Sequence, residues 1–536
     1  LGCVYGGVAG LFLSLALRIS TLEGQLAGIA LGTACTLTWH LRPGHMAIDA
    51  FPVLRSKSFV SHVAAGVILG CHAMLYASNS FTMWEDRITL GMLTAILLAR
   101  AWAGLGAPLT RWQLRIPIMA VIALVLVRVA SMSRVCREEQ APYCTPSFYA
   151  YHATTDFADN PAYALSGPAT NSPYALLAAY VVAFGIADVL RQALMPSRAH
   201  LSTASTLLTW VIRPAMLGAA GFWLADWVHG LDRWDEPTRA TFFVVKMWVA
   251  RVVLVVLLCG SVYWYLSPLS LSVLHERPAP GAQARVLLLG FGNTFGAAFL
   301  LAMSLIFAYL FLLSQPMGQL ALTACFVALL LLAELGDHER DARLLAASKL
   351  AEATKTKEVT STRHGPSFLD VVCVALLGFV AFFGTGHQAT FSSIQWRVAF
   401  VGFSTVTYPW SPLFVILNAF GPLCVLPAFG VVLLTLWNLA PTRERPDEER
   451  PPPMRLPCDI LRSALALLLY AGTLTLSAAT WAWFFRRHLM LFKIWVPRYM
   501  TAGLGLLVTD VALLGAVLTA WCIASHTSRA FGTLYS

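Results

Sequence analysis

The 536 residues are 58% hydrophobic and only 12% charged, with a mean hydropathy of +0.68, a balance that excludes a water-soluble globular chain. The net charge of +10 comes from basic residues scattered among short loops, where they orient membrane helices, so nucleic-acid binding is excluded as well.

Crossing the hydrocarbon takes roughly 20 apolar residues as a helix. In chain order, apolar runs centre on 1–17, 24–39, 60–77, 88–103, 117–132, 174–194, 207–225, 242–266, 286–313, 320–335, 368–383, 413–439, 461–485 and 501–522. They are Leu- and Ala-rich and far longer than a barrel strand, which predicts an all-α polytopic membrane bundle of about 14 spans filling residues 1–536.

Loop charge predicts the orientation. The basic loops 41–58, 106–115, 195–200, 272–285, 337–366 and 441–458 fall on one side and are expected in the cytosol. The opposite, luminal side receives 78–87, the long loop 133–171, 226–239, 315–319 and 386–409. Cys136 and Cys144 lie in that luminal loop, where an oxidising compartment permits a disulfide. Most other cysteines sit inside apolar runs as small hydrophobes. The chain opens directly on an apolar run with neither Met nor a basic leader, from which a piece of a longer protein is expected.

Three features carry candidate chemistry. The segment GTGHQATFSSIQW, 384–396, crowds His387, Gln388 and Trp396 with several hydroxyls at the luminal end of an apolar helix. Such hydrogen-bonding density suits a sugar or phosphate headgroup, and the alternative is a capped helix end with an aromatic anchor. The stretch RRHLMLFKIWVPR, 486–498, puts Arg486, Arg487, His488, Lys493 and Arg498 on the luminal side against the usual charge rule. It reads as a lipid-phosphate patch, or as snorkelling side chains at helix ends. Ionisable residues inside spans (Asp188, Arg213, Lys246, Arg251, Glu334 and Asp510) are functional candidates by default, with intramembrane pairing the plainer reading of each. No Gly-x-Ser-x-Gly, P-loop, His-Glu-x-x-His or Asp-rich cluster is present.

Four segments in order resemble the GPI ethanolamine phosphate transferases, of the type acting on the third mannose of the anchor: SNSFTMWEDR (78–87), CREEQAPYC (136–144), GHQATFSSIQWRVAF (386–400) and RRHLMLFKIWVPR (486–498). The resemblance implies an endoplasmic reticulum enzyme that moves phosphoethanolamine from phosphatidylethanolamine to a GPI glycolipid intermediate. It also implies a small multi-pass stabilising subunit as partner. Members carry a luminal domain of the alkaline-phosphatase type with two zinc ions and a Thr nucleophile; this chain has none of those positions, so no catalytic residue is carried over. The membrane region is then expected to hold the lipids for that domain. His387, Gln388 and Trp396 are expected at the headgroup, and Arg486, Arg487, His488 and Lys493 at phosphate. Glu85, Glu138 and Glu139 are expected at the ethanolamine ammonium, with Arg87 beside them. The competing expectation is a lipid or solute transporter, against which stands the lack of an inverted repeat.

Overall fold

The computed structural model describes residues 59–105, 114–135, 140, 173–230, 234–276, 285–354, 365–389, 393–441 and 455–535. The predicted runs 1–17 and 24–39, the residues Cys136, Glu138, Glu139 and Cys144, and most of the loops 133–171 and 441–458 lie outside them.

The remaining twelve apolar runs each coincide with a helix. They are α1 (Phe59–Met74), α2 (Glu85–Leu105), α3 (Arg115–Ser131), α4 (Pro173–Leu194), α5 (Arg213–His229), α6 (Glu236–Leu266), α7 (Thr294–Leu313), α8 (Pro316–Thr354), α9 (Phe368–Gly384), α10 and α11 (Trp410–Phe420 and Leu426–Leu436, one broken run), α12 (Arg455–Phe484) and α13 (Val496–Tyr535). Among the described residues, nine helices are long and apolar enough to cross a membrane, and α1 and α9 are shorter apolar helices. The multi-pass all-α architecture is therefore present, and the figure of about 14 spans stands only as an expectation.

One boundary differs from expectation. Residues 286–289, read as the start of a span, form strand β2 (Arg285–Leu289), antiparallel to β1 (Ser272–Glu276) with Ser272 opposite Leu289. A run of Val and Leu fits a strand as well as a helix. Gly290 ends it at φ +87°, where a Cβ would also strike the Ser270 carbonyl oxygen.

The core is built around α7 and α8. Within α7, 89% of the apolar window is inside the protein, against 17% for α6, which is peripheral. α8 packs on α3, α4 and α9, α5 on α4 and α6, and α12 on α13. α9 begins with a capping box in which the Ser367 hydroxyl and the Asp370 carboxylate each bond the other's backbone N–H. Midway along α9, Gly378 allows a close helix approach, since a Cβ there would lie 2.4 Å from Pro427 Cγ. Pro422 and Pro427 sit where α10 passes through a wider π-type turn (Gly421–Val425) into α11.

Polar side chains gather at the two ends of the bundle. At one end Arg100 of α2 is ion-paired with Asp370 of α9 and lies 3.9 Å from Glu339 of α8. At the same end Asn438 donates to Asp337 at 2.6 Å. Glu85, fifteen residues before Arg100 in α2, stands about 22 Å away at 1.5 Å per residue. It belongs to the other end.

Candidate functional site

α2 opens with Glu85 and Asp86, whose charges suit the positive end of the helix dipole. Glu85 is 1% exposed. Its Oε1 accepts from Arg498 Nη2 at 2.6 Å and Tyr76 OH at 3.0 Å, with His72 Nε2 at 3.3 Å. The Arg498 guanidinium also bonds the Tyr76 hydroxyl and lies 4.6 Å from that ring's centre. Tyr470 of α12 meets His72 Nδ1 at 2.6 Å, and Trp495 Nε1 donates to the Tyr76 carbonyl at 3.0 Å. Five segments, α1, the residues just after it, α2, α12 and the start of α13, are thus tied through one buried ion pair. A charge taken out of water is tolerated only when paired and hydrogen-bonded. Even so, Glu85 Oε2 and Arg498 Nε are buried without partners.

Beside Glu85 lies a small polar crevice whose lining includes Asp86, Arg134, Gln140 and Gln388. Arg134 Nη1 reaches Asp86 at 3.2 Å, and Gln140 Nε2 donates to the Met83 carbonyl at 2.6 Å. Gln388 Nε2 donates to the Val135 carbonyl at 2.7 Å. Two residues singled out from sequence, Glu85 and Gln388, therefore share one crevice although 303 positions separate them. Arg87 stacks on Trp84 at 4.4 Å.

His387 faces inward. It is 2% exposed, lies parallel to Phe382 at 5.4 Å, and contacts the Thr385 hydroxyl at 3.0 Å and Asn418 Oδ1 at 2.9 Å. Asn418 uses its amide for the Leu313 carbonyl (2.8 Å) and Gln395 Oε1 (3.3 Å). Its oxygen must therefore accept, which places a proton on His387 Nε2. Burial lowers the His387 pKa to about 4, against the opposing bond to Asn418, so the ring is neutral at physiological pH. Gln395 Nε2 folds back onto the Thr385 carbonyl at 2.9 Å. This part of 384–396 has the connectivity of a capped helix end. Trp396, by contrast, is 63% exposed. Next to it Arg397 reaches Asp226 at 3.4 Å, and Asp226 also holds Lys246 at 2.8 Å.

Arg486, Arg487, His488 and Lys493 lie exposed on the turn between α12 and α13. Arg486 stacks on Trp483 at 4.5 Å, and the Met490 N–H donates to His488 Nδ1 at 3.1 Å. The same turn exposes Leu489 (99%) and Phe492 (78%). Cations interleaved with bare apolar side chains suit a lipid–water boundary. Arg498, read from sequence as part of this cluster, is instead buried at 3% exposure. The apolar run read from sequence begins at 501, three residues after Arg498, whereas α13 begins at Val496 and so carries Arg498 in its first turn, where a buried charge needs a partner. The partners Tyr76, His72 and Tyr470 carried no comparable signal.

Of the charges read as intramembrane, Asp188 pairs with Arg213 at 2.6 Å and Arg251 Nε donates to the Gly402 carbonyl at 2.9 Å, whereas Asp510 is exposed on α13 and makes no ion pair among the described residues. Among the described residues no group of three or more His, Cys, Asp or Glu is placed to hold a metal ion. The two zinc ions implied for a catalytic domain therefore find no ligand set on these residues.

No family model and no solved structure matches the chain. Curated proteins do. GPI ethanolamine phosphate transferase 3 of Eremothecium gossypii is 28% identical over 494 residues, covering 85% of this chain and 43% of that protein. The protein of that name from Saccharomyces cerevisiae is 28% identical over 82% of this chain and 42% of its own length. Human GPI ethanolamine phosphate transferase 3, catalytic subunit, is 31% identical over 190 residues, 30% of this chain and 17% of its own. The chain thus spans under half the length of the curated relatives it matches. Over most of its own length it is similar to the proteins named GPI ethanolamine phosphate transferase 3.

Proposed function

We propose that this chain is the membrane region of an endoplasmic reticulum enzyme of GPI-anchor biosynthesis. The enzyme transfers phosphoethanolamine from phosphatidylethanolamine to the third mannose of the GPI glycolipid. The observation that carries this reading is the similarity to the two fungal proteins over more than four-fifths of the chain.

In this reading the zinc-dependent phosphoryl transfer belongs to a luminal domain in the part of the relatives that the chain does not match. The membrane residues position the lipids. Holding both headgroups near one site converts an encounter in two dimensions into a local one, which is where positioning contributes most to rate. The exposed Arg486, Arg487 and Lys493 supply cationic donors for lipid phosphate at the membrane boundary. The crevice of Asp86, Gln140 and Gln388 beside Glu85 supplies acceptors of the kind an ethanolamine ammonium or a sugar hydroxyl requires. His387 supports this surface from beneath. A small multi-pass subunit completes the assembly.

Lipid analysis of the purified full-length protein tests the reading. Phosphatidylethanolamine and a mannosylated GPI glycolipid are expected to copurify, with reduced recovery for the Arg486→Glu/Arg487→Glu double variant. Absence of both lipids, together with catalysed flux of a lipid or solute across proteoliposomes, would establish the transporter instead.

A further inference from the structure

We propose that the cleft between α9, α12 and α13 holds one acyl chain of a zwitterionic glycerophospholipid, an oxygen of which accepts a hydrogen bond from Arg498 Nε. The proposal deepens the lipid-holding role above and rests on the membrane reading of these helices.

The cleft is walled by Phe379, Leu423, Tyr470, Leu474, Arg498 and Gly505, encloses about 50 Å³, and is open along one side, so a chain lies in it as in a groove. It follows α13 from Arg498 to Thr509, about 16 Å at 1.5 Å per residue, which is half of a hydrocarbon core roughly 30 Å thick. One leaflet's acyl chain has that reach.

Nearly every polar side chain of the lining is already engaged within the protein. Thr475 donates to the Ala471 carbonyl at 2.9 Å, Thr501 to Pro497 at 2.8 Å and Thr509 to Gly505 at 2.7 Å. The Cys424 thiol meets the Gly505 carbonyl at 3.3 Å, and the Tyr470 hydroxyl meets His72. Arg498 Nε alone in this lining is buried without an acceptor, and a buried donor so placed is a cost that a ligand oxygen removes. Because Glu85 already balances the Arg498 charge, the site asks for an acceptor and not for further negative charge. An ester carbonyl or phosphate oxygen of a zwitterionic lipid answers that description. The groove between α5 and α6 is larger, about 420 Å³, but its walls are Val, Ala, Gly, Pro and Trp with no buried orphan donor. It serves as an internal control for bulk lipid.

The test uses the full-length protein in nanodiscs of phosphatidylcholine containing phosphatidylethanolamine with a diazirine on one acyl chain. After irradiation, adducts are located by peptide mass spectrometry. The wild type is expected to carry adducts on 467–475 and 501–509 in excess of those on α6. Gly505→Leu adds bulk where a Cβ meets only ordinary contacts, the nearest at 3.6 Å; it should remove most of the cleft adducts and leave those on α6. Arg498→Lys keeps a cation for Glu85 but lacks Nε, and should lower the cleft yield about fivefold, the worth of one hydrogen bond. Cleft adducts no more abundant than those on α6, and indifferent to Gly505→Leu, overturn the proposal. A phosphoethanolamine-transfer assay on the wild-type preparation separates the two ideas: transfer without excess cleft labelling refutes the cleft, and cleft labelling without transfer refutes the transferase reading.

Discussion

Glu85 and Arg498 are 413 residues apart in the chain and 2.6 Å apart in space, buried where neither charge can be left alone. Glu85→Ala should therefore cost about 3–5 kcal/mol, the usual consequence of stranding one member of a buried pair, read as a fall in thermal unfolding temperature in detergent. Replacing both by apolar residues, Glu85→Leu with Arg498→Met, should cost less than either single change. A double variant as damaged as the sum of the singles would refute the pairing. His387 gives a second prediction, in pH. Its folded pKa is depressed to about 4 from an unfolded value of about 6.5, so the unfolded chain takes up the proton first as pH falls. Stability should be full above about pH 6.5 and decline towards pH 4, and His387→Gln should flatten that decline. Sequence reading found His387, Gln388 and Glu85 as notable polar residues but not what they face. Burial of His387 against Phe382 and Asn418 depends on α9 and α10 meeting, and no local pattern encodes that.

At the scale of elements, twelve helical runs were legible because apolar length is a local property and the bilayer demands that backbone groups bond within the segment. The strand at 285–289 and the π-type turn at Gly421–Val425 were not. Both depend on what the segment packs against, and a short Val/Leu run carries no period that separates strand from helix. The contact of α9 with α11 gives a direct probe. Gly378→Leu forces a side chain into Pro427 and the Leu423 carbonyl and should cost 1–3 kcal/mol or more, roughly the range for overpacking. Gly472→Ala in α12, where a Cβ meets nothing within 4 Å, should leave unfolding unchanged or shift it upwards. Equal effects of the two would contradict the packing described.

For the whole molecule, loops assigned from charge to the same side do meet: Asp226 with Arg397, Asp86 with Arg134, and Gln388 with Val135. Which end faces which compartment follows from the charge rule alone and is a prediction. In sealed microsomes, an impermeant maleimide should reach Met195→Cys directly, and Thr405→Cys and Leu489→Cys only after the membrane is opened; the reverse pattern would invert the topology. The proposed division of labour between a lipid-holding membrane region and a catalytic domain rests on the four family-like segments, and among the described residues no group of three or more His, Cys, Asp or Glu is placed to hold a metal ion. The most direct test is transfer itself. Full-length protein is incubated with headgroup-labelled phosphatidylethanolamine and a trimannosyl GPI glycolipid, and the glycolipid is analysed by mass spectrometry. A gain of one phosphoethanolamine on the third mannose is predicted, and an unmodified glycolipid from folded, lipid-bound protein would contradict the account.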